Sequence, residues 1–273
     1  MHLRELIRVI RYAMIIITLI IYLFPIYWIF VTAFKRRIDI FALPPRWIFT
    51  PTLDNLYEVI NSGMIYSILN SAIITGISVI ISIILSTLAA YGFSRYDFKG
   101  KDLWLFYIIS TRMMPPIVVV IPIYIMFSIL HLKGTYIGLI TMYTVMNIAF
   151  GTWIMKGFVD EVPKDIDEAA EIDGYPKWKF LLKVLLPIIR PGLTATIILM
   201  IIFVWNEFLF ALLLSSTNTR PASVALASIR GERGFNWGRV AMLETIYILP
   251  VIILVFLVQK HLLRAMTFGT VRE

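Results

Sequence analysis

The chain has 273 residues, 59% of them hydrophobic and only 15% charged, with a mean hydropathy of +0.84. Soluble domains carry about a quarter charged residues, so a water-facing globule is excluded and the bilayer is the expected solvent. The net charge of +8 fits lysines and arginines in cytoplasmic loops better than a nucleic-acid surface; the lack of cysteine excludes disulfides and thiolate metal sites, and His2, His131 and His261 are too scattered for a metal cluster.

The first apolar run, Tyr12 to Phe34, follows Arg4, Arg8 and Arg11 and contains one proline, Pro25. It is too long for the core of a signal peptide and lacks a small-x-small cleavage site, which predicts a retained helix. The second run covers Leu69 to Phe93, where Ser71, Thr75, Ser78, Ser82 and Ser86 recur at helical spacing. Such a stripe serves either close helix packing or a hydrophilic path. The third run, Leu103 to Leu130, carries Arg112 just ahead of Pro115 and Pro116, which are expected to distort the helix and free carbonyls toward a cavity. The fourth is Thr135 to Met155 with Asn147 inside it, the fifth Leu193 to Leu214 with Trp205-Asn206-Glu207, and the sixth Ala241 to Val258 with Glu244.

Each run is near the length that crosses hydrocarbon as a helix. Strict period-2 alternation is absent, so the expected fold is an all-α polytopic membrane protein with six transmembrane helices rather than a barrel. Six crossings put both termini on one side. With the N-terminus inside, the inner segments hold 15 lysines and arginines and the outer ones 9, which favours N-in and C-in. The triplet Lys35-Arg36-Arg37 argues the other way.

Polar groups are expensive in lipid, so Arg112, Asn147, Trp205, Asn206 and Glu207 form a candidate translocation path or substrate set. An aromatic ring beside hydrogen-bonding side chains suits a sugar, whose C–H faces and hydroxyls need both. The same groups equally serve helix packing or an internal ion pair, and both readings stand.

Residues 156–192 form the longest inner segment. Pro163 suits a helix start, and Asp165, Asp167 and Glu168 in the first turns complement the helix dipole. Gly174 is a natural stop, because glycine enters the left-handed cap without strain. Pro176 then begins a second helix whose Trp178, Phe180, Leu181, Leu182 and Leu185 suit a membrane interface. Helix, glycine turn, helix is the predicted order. It fits an interfacial connector between two spans or a helix that docks into a partner.

Glu168-Ala169-Ala170, Gly174, Val184, Leu186 and Pro187 resemble the EAA loop of ABC importer permeases, whose pattern is E-A-A, three residues, G, nine residues, I-x-L-P. Val184 in place of isoleucine is the one departure. "ALPPRWIFTPTLDNLYEVI", "YGFSRYDFKGK", "RMMPPIVVVIPIYIMF", "WNEFLFALLL", "RPASVALA" and "LLRAMTFGTV" extend the likeness over nearly the whole chain, toward the shorter permease of maltose/trehalose-type carbohydrate systems. The resemblance implies one permease domain over 1–273 with its core at about 69–263, a first helix and outer loop in 1–68, and a coupling loop in 156–192. It implies that Glu168, Ala169, Ala170, Asp173, Gly174, Leu186 and Pro187 couple to an ATPase. The implied partners are a second permease subunit, two ABC ATPase subunits that bind ATP and Mg, an extracytoplasmic sugar-binding protein, the sugar and membrane lipid, with no nucleic acid.

The implied place is the cell membrane, and the implied activity is ATP-driven import by alternating access. Another cargo (polyamine, phosphate or glycerol phosphate) is the nearest alternative, and an ion-coupled secondary transporter a more distant one. No catalytic residues, metal or cofactor are expected in this chain, because it lacks G-x-x-x-x-G-K-[ST].

Overall fold

Four apolar runs form long helices here, two of them with a proline inside (Pro25 and Pro250), whereas the runs interrupted at Pro115-Pro116 and at Glu207 are broken. The computed structural model describes residues 2–229 and 236–267, which are helical with turns and no strand. Residues 230–235 and the end of the "LLRAMTFGTV" tail, from 268, lie outside the described residues.

Helices α1 (His2–Ala33), α4 (Ile65–Arg95), α7 (Tyr136–Asp160) and α13 (Trp237–Thr267) each contain a stretch long and apolar enough to cross a membrane. At ~1.5 Å per residue, the 25 residues of α7 already reach ~38 Å; the hydrocarbon is ~30 Å thick. Short helices α2 (Arg37–Ile40) and α3 (Asp54–Asn61) lie between the first two.

The third apolar run is not one helix. It is α5 (Lys101–Met113) and α6 (Pro116–Ile129), which meet at 96°. Proline disfavours the α region for the residue before it, and Met114 is extended (φ −72°, ψ 126°). Each arm is ~20 Å long, too short to cross alone. The fifth run departs from a single helix as well. Helix α10 (Arg190–Trp205) ends at Asn206, and α11 (Leu209–Leu214) restarts beyond Glu207. On its other side, α10 meets α9 (Lys177–Ile188) at 83° around Ile189, where Pro187 and Pro191 remove amide donors. Against the six expected transmembrane helices, the described residues hold four long enough to cross singly, or up to six candidate spans if each of two bent pairs counts as one. Helices α8 (Asp165–Ile172) and α12 (Ala222–Ala227) complete the order.

The chain divides into two compact units, residues 1–66 with 225–250 and residues 67–224 with 251–273. In the first, Asn55 closes the end of α1, its Nδ2 donating to the open carbonyl of Ala33 (2.8 Å) and to that of Lys35 (2.9 Å) just beyond the helix. The Lys35 ammonium sits over the Trp28 and Phe49 rings, a cation–π arrangement that keeps this buried lysine off the lipid. Glu58 accepts from Asn236 (2.9 Å) and Arg239 (3.0 Å), joining α3 to the start of α13.

In the second unit, α4 turns its polar stripe inward. Ser78, Ser82 and Ser86 are fully buried, whereas Ile80 and Ile84 on the opposite face are 60% and 54% exposed, the arrangement expected of a helix solvated by lipid. The serine hydroxyls of Ser78 and Ser82 bond back to the carbonyls four residues earlier (both 2.6 Å). They also lie 3.5 and 3.4 Å from the Ile140 and Thr144 carbonyls of α7, and Ser86 donates to Ile148 at 3.2 Å. The stripe is thus a packing seam, one of its two predicted uses; Ser71 adds to the packing by accepting the Ala222 amide at 2.9 Å. Gly151 of α7 permits the approach, because a Cβ there would strike Ser86 and Met200. Ile74, Phe127, Leu139, Tyr143, Val204 and Phe210 fill the adjoining core.

Candidate functional site

Helix α8 begins at Asp165 with Asp165, Asp167 and Glu168 in its first turn, as the charge pattern predicts. It ends in a Schellman cap, with Gly174 at φ +75°. The Tyr175 amide donates to Ala170 O (2.9 Å) and the Gly174 amide to Glu171 O (3.0 Å), satisfying two end carbonyls. Nothing lies within 4 Å of where a Cβ on Gly174 would be, so the glycine is needed for backbone conformation and not for space. Pro176 is extended and α9 starts directly after it.

The two faces of α8 differ. Ala170 is buried in an apolar cluster with Val159, Val162, Phe180 and Leu185, and Ile166, Val184 and Leu186 pack against it. Burial of a side chain such as Phe180 or Leu185 contributes about 2 kcal/mol. Glu168, Ala169, Asp173 and Pro187 are exposed, and Ile172 is 87% exposed. Glu171 pairs with Lys177 across the glycine turn. Of the predicted coupling residues, then, Ala170 and Leu186 face the protein's own core while Glu168, Ala169 and Asp173 face outward. The predicted interfacial set divides as well: Phe180 and Leu185 are core residues, and Trp178 and Leu182 are exposed. Just before Pro187, which offers Lys183 no amide, α9 widens by one residue over Leu181–Leu185, and the Leu186 amide reaches back to Leu181.

Two further contacts hold α8 that the spacing of the motif does not reveal. Asp167 accepts from Arg95 Nε (2.9 Å) and Tyr91 OH (3.3 Å) at the end of α4. The signal available in the sequence was the i, i+3, i+4 spacing of Tyr91, Ser94 and Arg95 on one face.

Two of the polar residues of the spans, Arg112 and Glu207, meet one stripe of α7. Tyr143, Asn147 and Phe150 follow one another at i, i+4 and i+7, the spacing of a single face. The Tyr143 hydroxyl donates to Glu207 (2.7 Å), and Phe150 packs edge-on against Phe203 (5.1 Å between ring centroids). The Arg112 guanidinium lies over both of these rings, at 5.6 and 5.3 Å. Asn147, 2% exposed, falls between the two pairs. Glu207 also accepts the amides of Phe210 (2.9 Å) and Ala211 (3.0 Å), so it caps α11 across the break. Trp205 is buried; Asn206 is exposed and returns its Nδ2 to Ile202 O at 2.8 Å. Tyr143, Phe150 and Phe203 join this strip although sequence reasoning did not single them out. They read as ordinary core aromatics until α7 and α10 are placed side by side.

Comparison with known proteins follows the same outline. The family model described as binding-protein-dependent transport system inner membrane component matches residues 82–268. The probable ABC transporter permease protein y4oR of Sinorhizobium fredii is 36% identical over 92% of this chain and 91% of its own. The trehalose/maltose transport system permease protein MalG of Thermococcus litoralis is 32% identical over 94% of each chain. Among solved structures, a chain of a bacterial ABC transporter involved in the import of the acidic polysaccharide alginate superposes with a TM-score of 0.80, over 94% of this chain and 96% of that one, at 21% identity. At that identity the likeness speaks for the fold.

Proposed function

Because the chain belongs to the family of binding-protein-dependent transport system inner membrane components, we propose that it is the six-span permease subunit of an ABC importer for a sugar. The six crossings are the four long helices, the bent α5–α6 pair and α10 with α11, while α9 lies outside the membrane, so that both termini and residues 156–192 are on the cytoplasmic side. The single observation that carries the coupling role is the two-sidedness of α8. One face is built into the permease core through Ala170, and the other presents Glu168 and Ala169 without covering side chains. A partner ATPase accepts this exposed edge in a cleft. Glu168 supplies a charge-assisted hydrogen bond there, and the small Ala169 lets the two backbones come close.

ATP is bound together with Mg, and hydrolysed, on two such ATPase subunits. Their closure carries α8, and with it α4 and α7, so that the membrane cavity formed with a second permease subunit changes the side it faces. The strip from Arg112 to Glu207 lines or supports that cavity. An extracytoplasmic binding protein delivers the cargo. The carbohydrate assignment is supported by relatives named for trehalose and maltose, at 32% identity.

The test is co-purification of the ATPase with wild type and with Glu168→Arg, Gly174 being left intact. We expect the ATPase to accompany the wild type and to be lost from a variant that still inserts and folds. Absence of any ATPase from a well-folded wild type, under conditions that preserve complexes, would overturn the reading and leave residues 156–192 as an interfacial connector.

A further inference from the structure

The geometry points to Arg95 as a positioning residue that locks α8 to the end of α4, so that the two move as one lever; this rests on the reading of α8 as the ATPase handle. Arg95 makes bonds in three directions. Its Nε donates to Asp167 Oδ2 (2.9 Å), its Nη2 to the Val162 carbonyl (2.8 Å) and its Nη1 to Ser94 Oγ (3.3 Å). Ser94 in turn donates to Asp160 Oδ1 (2.6 Å), whose other oxygen takes Lys156 Nζ (2.6 Å). One guanidinium therefore ties together the last turn of α4, the segment leaving α7 and the first turn of α8.

The pair is largely enclosed, with the Arg95 and Asp167 side chains 7% and 14% exposed, so salt screens it little. The apolar cluster below it does a different job. Hydrophobic contact is non-directional and permits sliding, whereas the planar guanidinium bonds along fixed directions and sets register. Asp167 and Glu168 are neighbours about 100° apart on the helix, the first largely enclosed against Arg95 and the second exposed. A push on Glu168 reaches α4 through a single residue of backbone. Lysine at 95 would not reproduce the fork, since it offers a point charge with no second arm for Val162.

The chain has no cysteine, so two introduced cysteines give a clean spin-label pair. Ile172→Cys sits at the exposed end of α8 and Ile80→Cys on the exposed face of α4 (87% and 60% exposed). The distance distribution is measured in the assembled transporter, nucleotide-free and with ATP and vanadate, and in the isolated permease. We expect one narrow peak that stays in place in all three. Arg95→Gln should lose the single peak, and the exchange Arg95→Asp with Asp167→Arg should narrow the distribution again in part, because it restores the pair between α4 and α8 without the bond to Val162, which a general loss of fold would not allow. A peak as narrow in Arg95→Gln as in the parent overturns the lock, and so does an exchange variant no narrower than Arg95→Gln. The isolated permease separates the two ideas. Loss of the peak there concerns Arg95 alone, while failure of any ATPase to bind concerns the handle.

Discussion

Replacing Glu207 by alanine should destabilise the permease by about 3 kcal/mol. The carboxylate accepts two first-turn amides of α11 and the Tyr143 hydroxyl. Losing an N-terminal cap costs about 1 kcal/mol, and a hydrogen bond to a charged acceptor is worth about 1.5–3 kcal/mol. Because Glu207 is only half-buried, water recovers part of the sum, which leaves the figure near 3. Glutamine keeps one acceptor oxygen but turns an amide toward the other donors, so it should cost about half as much. Thermal unfolding in detergent, followed by tryptophan fluorescence, reads the difference. At about 2–4 °C per kcal/mol for a chain of this size, alanine should lower the midpoint by about 6–12 °C. An alanine variant that melts with the wild type but no longer transports would refute the capping argument. It would assign Glu207 to the cargo path instead.

Gly151→Ala should cost about 1–3 kcal/mol by overpacking, since its Cβ meets Ser86 and Met200. A double-mutant cycle with Met200→Val should return part of that loss, and additive effects would show that the close approach does not exist in the membrane. Gly174→Ala should cost about 1–2 kcal/mol from its positive φ alone, and Gly174→Asn less, because asparagine tolerates this region. Equal losses for the two variants would mean that something besides the backbone, such as a bound partner, occupies the open space beside Gly174.

What was legible in the sequence followed from local chemistry. Gly174, Pro176 and the acids at 165, 167 and 168 act within a few residues of themselves, and the structure puts a cap, a restart and a first turn where they fall. The proline pair at 115 and 116 announced a distortion, but not a turn of 96°, which depends on what the two arms pack against. The break at Asn206–Phe208 was hidden because hydropathy sees an apolar run with one acid in it. Only the Glu207 side chain accepting the amides three and four residues ahead reveals a cap. Arg95 and Asp167 are 72 residues apart, and nothing in either stretch alone names the other. The two uses of the serine stripe also became distinguishable only when α7 was found against it.

That seam has a mechanical consequence. Ser78, Ser82 and Ser86 each meet a carbonyl 62 residues further on, so α4 and α7 mesh like two racks whose teeth repeat every four residues. A displacement along the axis of half a tooth, ~3 Å, would disengage all three contacts together, and only a slip of a whole turn, ~6 Å, would bring teeth and gaps back into register. Gradual shear between these helices is thereby suppressed. Any stroke delivered at one end of α4 must either carry α7 with it or skip a full notch.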